Sequence, residues 1–338
     1  MKQIVHFICL AMMALCITGC QKTGVEIVKH DPVEVKLNLT GDFDVEVSHD
    51  EMTRSEASTD AYALNVYYDK DGDGNQNDLY AYGLFDNVAD MTITLLSNHK
   101  YKIYCSLIKN AKNTIYYGQA FNNAYSGYAY PFQTNASNST LISNAFIIGT
   151  STYFTGLGSG NTHIASVSSP STSNYTKYPK VNRFYGVKSD YVPVPNGTID
   201  IYLKRIVFGA KFVVTGVKEG TLSLSAGEFY SKSYSKDDAG VEYIYTFPDV
   251  SGVYSNDLPL VATVSINYDS NRGSLWDLSH SQNVQFKRNT MTTVNINLGP
   301  DLSGASLSIT EEEMAEENLI DLGLNADGLI DIVVKPEN

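Results

Sequence analysis

The chain has 338 residues and carries 24 lysines and arginines against 37 aspartates and glutamates, a formal net charge of −13. That balance argues against nucleic acid as a partner, because binding phosphates needs a basic patch. The length suffices for two hydrophobic cores, and 43% of the residues are apolar.

Residues 1–20 run MKQIVHFICLAMMALCITGC. Lys2 supplies a positive start, Ile4 to Ile17 an apolar run broken by His6, and Ile17-Thr18-Gly19-Cys20 small residues before a cysteine. This is the layout of a secretory signal peptide, and its end resembles a lipobox. The expectation is cleavage before Cys20 and acylation of its thiol, so that the protein is exported and tethered by lipid. The apolar stretch is shorter than the roughly 20 residues that span a bilayer. Cys9 and Cys16 leave with the signal and Cys20 takes the lipid, so Cys105 remains alone. No intramolecular disulfide is then available, and Cys105 reads as a small buried apolar residue.

Beyond Cys20 the pattern turns to strands. Val33, Val35, Leu37 and Leu39 alternate with charged or polar residues, and Phe43, Val45 and Val47 do so after the turn Thr40-Gly41-Asp42. The pair predicts a β-hairpin in a leader, residues 20–54. Further strands are expected at Ala61–Tyr68, Met91–Leu96, Lys102–Leu107, Thr114–Tyr117 and Asn144–Ile148. Residues 119–180, rich in Ser, Thr, Asn, Gly and Tyr, read mainly as long loops. Asp190-Tyr191-Val192-Pro193-Val194-Pro195-Asn196-Gly197 reads as an interdomain linker stiffened by two prolines.

From Ile199 the alternation sharpens. Ile199, Ile201 and Leu203 share one face, as do Val241, Tyr243, Tyr245 and Phe247; Leu260 to Tyr268 and Val294 to Leu298 behave alike. Without helical crossovers the strands are expected to be antiparallel, in a β-sandwich. In the tail, Ser308 or Thr310 followed three residues later by Glu predicts a capped short helix. Leu329-Ile330-Asp331-Ile332-Val333-Val334 predicts one last strand. The domains are thus read as signal peptide 1–19, lipidated leader 20–54, a β-rich N-terminal domain with long loops 55–195, C-terminal β-sandwich 196–300 and acidic tail 301–338.

One motif points to a metal. Asp69-Lys70-Asp71-Gly72-Asp73-Gly74 fits the opening of an EF-hand loop, with Asp78 as a further carboxylate, but Tyr80 stands where a bidentate Glu belongs. Weak calcium binding through Asp69, Asp71, Asp73 and Asp78 competes with an ordinary polar turn; no other cofactor is expected. An enzyme is not expected. His30, His49, His99, His163 and His280 are scattered, and Gly156-Leu157-Gly158-Ser159-Gly160 lacks the spacing of a nucleophile elbow. The aromatic run Tyr116, Tyr117, Phe121, Tyr125, Tyr128, Tyr130 and Phe132 reads either as core or as a surface for sugars or proteins. Trp276 reads as core.

Taken in order, several segments resemble the fimbrillin family, lipoprotein precursors of type V pili in Bacteroidales. They are the lipobox, the β-rich leader, Met52-Thr53-Arg54-Ser55, the strand Tyr62–Tyr68, Arg183-Phe184-Tyr185-Gly186, Ile199–Arg205 and Phe286–Val294. The resemblance implies an all-β fold of two transthyretin-like antiparallel β-sandwich domains. It also implies a trypsin-like cut between Arg54 and Ser55, loss of the leader strand and filling of the vacated groove by a neighbour's strand. The candidate donor is Leu329, Ile330, Ile332, Val333 and Val334, with an intramolecular edge strand as the alternative for that segment. The expected partners are other pilus subunits and, through the lipid, the membrane, with a host or bacterial surface ligand as a further one. The expected location is the outer membrane and cell surface, with release into fimbriae. A surface glycan-binding lipoprotein is the alternative.

Overall fold

The structure is a computed structural model that describes residues 31–42, 59–119, 126–136, 141–159, 177–236, 238, 240–272, 278–298 and 305–314. From Pro32 onward they belong to one compact unit. The strands are β1 (Pro32–Gly41), β2 (Ala61–Tyr68), β3 (Asp78–Phe85), β4 (Thr92–Leu96), β5 (Tyr101–Ile108), β6 (Tyr117–Gln119), β7 (Ser126–Tyr128), β8 (Phe146–Ile148) and β9 (Arg183–Tyr191). Then come β10 (Thr198–Arg205), β11 (Val207–Thr215), β12 (Thr221–Ala226), β13 (Tyr230–Tyr234), β14 (Val241–Thr246), β15 (Leu260–Asp269), β16 (Leu278–Phe286), β17 (Thr290–Leu298) and β18 (Ala305–Glu313). Many of the strands alternate buried and exposed residues, as β1, β10 and β15 do, while β2 is buried at six consecutive positions. The all-β class expected from the sequence is the class observed.

Eight strands form one sheet in the order β4-β1-β10-β9-β5-β2-β3-β8. It turns a corner at β10, where residues 198–203 pair with β1 and only Lys204 and Arg205 pair with β9. Gly186 makes the corner close, since a Cβ there would lie 2.4 Å from the Tyr202 carbonyl oxygen. Because the sheet turns, side chains from both of its arms share one core: Val35 and Leu37 of β1, Ile93 and Leu95 of β4, Leu64 and Val66 of β2, and Ile103 and Cys105 of β5. Cys105 is fully buried there, as expected, and burial pushes its thiol pKa well up.

Two four-stranded sheets, β14-β11-β17-β18 and β13-β12-β15-β16, follow. Phe212 and Val294 from the first share a core with Leu224, Val264 and Ile266 from the second, a sandwich arrangement. An aromatic cluster sits in that core, with Phe208 5.2 Å from Phe229, 5.4 Å from Phe286 and 5.6 Å from Tyr245 between ring centroids. Such offset and edge contacts add about 0.5–1.5 kcal/mol per pair beyond burial.

Arg183, at the start of β9, is fully buried. Its Nη2 donates to the carbonyls of Gly156 (2.9 Å) and Leu157 (2.7 Å), its Nη1 to that of Ser159, and its Nε to Ser106 Oγ (3.0 Å). The guanidinium thus satisfies a loop that has no ladder of its own. Burial lowers its pKa to about 9.

Several expectations are corrected. Residues 308–313 are not a capped helix but part of β18, paired with β17 along Thr290–Leu298. Ala305, Leu307 and Ile309 form a half-buried row at every second position, and this pattern overrides the local capping signal. Residues 111–114 form a short helical turn where the strand Thr114–Tyr117 was expected, and the strand starts at Tyr117. Asp190–Gly197 is the end of β9 and the turn that leads to β10 within the eight-stranded sheet, rather than a linker joining two sandwiches. Two pairs, β1 with β10 and β11 with β17, are parallel; their long connections run through other strands, so no helical crossover is needed. Finally, β1 pairs with two distant strands. Residues 43–47, its expected hairpin mate, lie outside the described residues.

Candidate functional site: an N-terminal strand in a two-sided slot

The β1 sequence PVEVKLNLTG alternates strictly, so Val33, Val35, Leu37 and Leu39 are buried while Glu34, Lys36 and Asn38 face outward. Both of its edges are used. Pro32–Lys36 pairs antiparallel with Leu96–Thr92 of β4, and Lys36–Gly41 pairs parallel with Thr198–Leu203 of β10. The Leu37 N–H also donates to the Met91 carbonyl at 2.9 Å, and the Asn38 amide donates to Asp200 at 2.8 Å. Flanking its buried row in the same core are Met91, Ile93 and Leu95 on the β4 side and Ile199, Ile201 and Leu203 on the β10 side.

The slot depends on β1 in a specific way. Among the described strands, β4 pairs with β1 alone. Withdrawing β1 would strip the ladder from β4, open the edge of β10 and uncover an apolar strip between them. An edge of that kind is a template for another strand.

At its far end β1 meets β10 closely. A Cβ on Gly41 would lie 2.0 Å from the Leu203 carbonyl oxygen, so only glycine fits that approach. The next residue, Asp42, accepts hydrogen bonds from Tyr202 Oη (2.6 Å), Arg288 Nη1 (2.9 Å) and the Arg205 N–H (3.0 Å). Burial alone would raise its carboxyl pKa, but the hydrogen bonds from Tyr202, Arg205 and Arg288 outweigh burial and hold it below the ordinary value. Arg288 Nε is occupied separately by Asp257, at 2.7 Å. This ion pair was not foreseen from the sequence, because Asp42 and Arg288 are far apart in the chain and nothing local pairs them.

The other residues singled out by sequence fall as follows. Cys20, Arg54, Ser55, Leu329, Ile330, Ile332, Val333 and Val334 lie outside the described residues, as do Phe121, Tyr125 and Trp276. Arg54 nonetheless falls in the connection between the end of β1 and the start of β2. Asp69 is buried, and its carboxylate accepts from the Lys100 N–H at 2.6 Å. Asp73 caps its own turn, accepting from the Asn75 N–H at 2.8 Å, and Asp78 opens β3. Among the described residues, no three or more His, Cys, Asp or Glu are grouped to hold a metal. Of the aromatic run, Tyr128 and Phe132 are buried and Tyr117 is half exposed, with Tyr128 packed edge-on against both. A different aromatic surface emerges instead. A cleft of about 270 Å³ is lined by Tyr67, Tyr104, Tyr153, Gln76, Asn77 and Thr155, among others.

No protein-family model matches the chain, and no curated protein sequence matches it. Among solved structures it is similar to the tip fimbrial protein Mfa3 of Porphyromonas gingivalis with a C-terminal truncation. The identity is 8%, 84% of this chain and 100% of that one are covered, and the TM-score is 0.32. A fimbrial assembly protein of Parabacteroides distasonis gives 12% identity, 84% and 100% coverage and a TM-score of 0.33. A Bacteroides thetaiotaomicron protein described as a candidate polysaccharide-binding protein gives 10%, 85% and 99%, and 0.36.

Proposed function

We propose that the chain is a non-catalytic subunit of a cell-surface fibre, or a related adhesin. In this reading it is made as a lipid-anchored precursor on Cys20 and assembles by strand exchange. One observation carries the reading: β1 fills a two-sided slot, and the segment that joins it to the rest of the domain contains Arg54. A cut between Arg54 and Ser55 turns β1 from part of the chain into a bound peptide.

Magnitudes decide whether such a peptide could be replaced. Four buried aliphatic side chains contribute on the order of 8 kcal/mol, and ordering ten backbone residues costs on the order of 10 kcal/mol. While β1 is tethered, the rest of the fold helps to order it. Once it is cut free, hydrogen bonds and the Asp42 contacts must make up the difference. A strand from a neighbour, supplied by Leu329–Val334, then competes on equal terms. The lipid on Cys20 leaves with the leader, and the trimmed subunit passes from the outer membrane into a fibre.

Limited trypsin digestion of the full chain followed by sedimentation tests this. Cleavage at Arg54 should yield multimers. Removing residues 326–338 beforehand should leave the cut chain monomeric, whereas assembly unaffected by that deletion would remove the donor role of Leu329–Val334.

The cleft around Tyr67 and Tyr104 supports a second reading, a surface glycan-binding lipoprotein, since tyrosine rings and amides together suit sugars. Tyr104→Ala should then weaken binding to soluble polysaccharide; binding that is absent or unchanged would set this reading aside.

A further inference from the structure

Asp42 ends β1, and the three groups that hold it lie elsewhere in the fold. Tyr202 Oη, the Arg205 N–H and Arg288 Nη1 converge on its carboxylate from β10 and the β16–β17 turn. Arg288 is also fixed without Asp42, through Nε to Asp257 at 2.7 Å and through Nη1 to the Arg205 carbonyl at 3.3 Å. Its side chain is only 21% exposed, so water cannot fully replace a lost partner. If β1 departs, the donors remain and the carboxylate does not.

We propose that Tyr202, the Arg205 N–H and Arg288 form a carboxylate socket that the incoming strand must refill, and that Glu337 of a second copy refills it. The inference rests on the strand-exchange reading and adds what selects the strand and sets its register. Spacing carries it. In β1 the buried row Val35, Leu37, Leu39 is followed by Asp42, three residues past the last apolar one. In the tail the row Ile330, Ile332, Val334 is followed by Glu337 at the same interval.

A tail strand running in the direction of β1, with Ile330, Ile332 and Val334 in the places of Val35, Leu37 and Leu39, brings Glu337 to the socket. Sliding it two residues one way puts Lys335 against Arg288, a like-charge clash. Sliding it two residues the other way puts Pro336, which has no N–H, in the place of Leu39. The socket therefore selects one register where the apolar row alone would accept several. In the favoured register Pro336 takes the place of Gly41, where a Cβ meets the Leu203 carbonyl at 2.0 Å, so the strand must lift from β10 there. Glutamate is one methylene longer than aspartate and can span that lift.

The test compares full chains after the cut at Arg54, by sedimentation over a range of concentrations. Glu337→Gln should require roughly 10- to 100-fold more protein to assemble, as expected when a charge-assisted hydrogen bond is lost. It should have no further effect in an Arg288→Met background. Tyr202→Phe removes one donor without disturbing the fold and should cost a few-fold. If Glu337→Gln assembles like the parent while deletion of 326–338 abolishes assembly, the socket is overturned and strand exchange stands. If the deletion also has no effect, both fall together.

Discussion

Asp42 shows how one side chain connects the N-terminal strand to the rest of the molecule. Its folded-state pKa lies below the ordinary 3.8, because burial, which would raise it, is outweighed by hydrogen bonds from Tyr202, Arg205 and Arg288. A carboxyl with a lowered folded pKa stabilises fully above its unfolded value, and that stability is lost as pH falls through the folded value. Below about pH 4, then, the end of β1 should loosen, read as faster hydrogen exchange at Leu39–Asp42. Asp42→Asn should cost about 2 kcal/mol of stability at neutral pH in a denaturant titration. Arg183 makes a larger claim on the fold. Arg183→Met removes the guanidinium that donates to the carbonyls of Gly156, Leu157 and Ser159, so a loss of about 3 kcal/mol or more is expected in the same assay. Cys105, fully buried with its thiol pKa raised by desolvation, should resist thiol reagents in the native protein and react at once in urea; rapid native labelling would contradict its placement.

At the scale of elements, alternation was the readable signal. The apolar face of β1 could be read directly, because a face buried on one side recurs at every second position; Ala61–Tyr68 is buried at six consecutive positions and was readable as a short apolar and aromatic run. Pairing could not be read. Nothing local distinguishes a hairpin mate at 43–47 from β4 and β10, since register and partner come from contacts far apart in the chain. The helix expected after Ser308 shows the converse error: a capping box is a few tenths of a kcal/mol to about 2 kcal/mol, whereas an apolar row meeting an open strand edge gains more. β1 itself offers a direct check. Leu37→Asp would bury a charge between β4 and β10, so it should destabilise the precursor strongly in a denaturant titration, by about 3 kcal/mol or more, as a buried unpaired charge does. A variant as stable as the parent would mean that β1 does not occupy the slot in solution.

For the whole molecule, the class and the presence of a sandwich followed from strand spacing, but the path between sheets did not. The two prolines of 190–197 look like a domain linker, yet they sit in a turn between neighbouring strands, because proline suits a turn as well as a linker. The candidate site was legible by half. Its apolar row stands out in the sequence and Arg54 only through the family resemblance, while the Asp42–Arg288 contact and the dependence of β4 on β1 arise from the fold. The claim that unites them is that removing β1 converts a closed subunit into an assembling one. The most direct measurement is sedimentation velocity on the full chain before and after trypsin, with the N-terminus of each species sequenced. The expected result is a monomer before cleavage and, after it, multimers of chains that begin at Ser55 and lack β1. A chain that begins at Ser55, has lost β1 and remains monomeric at high concentration would contradict it.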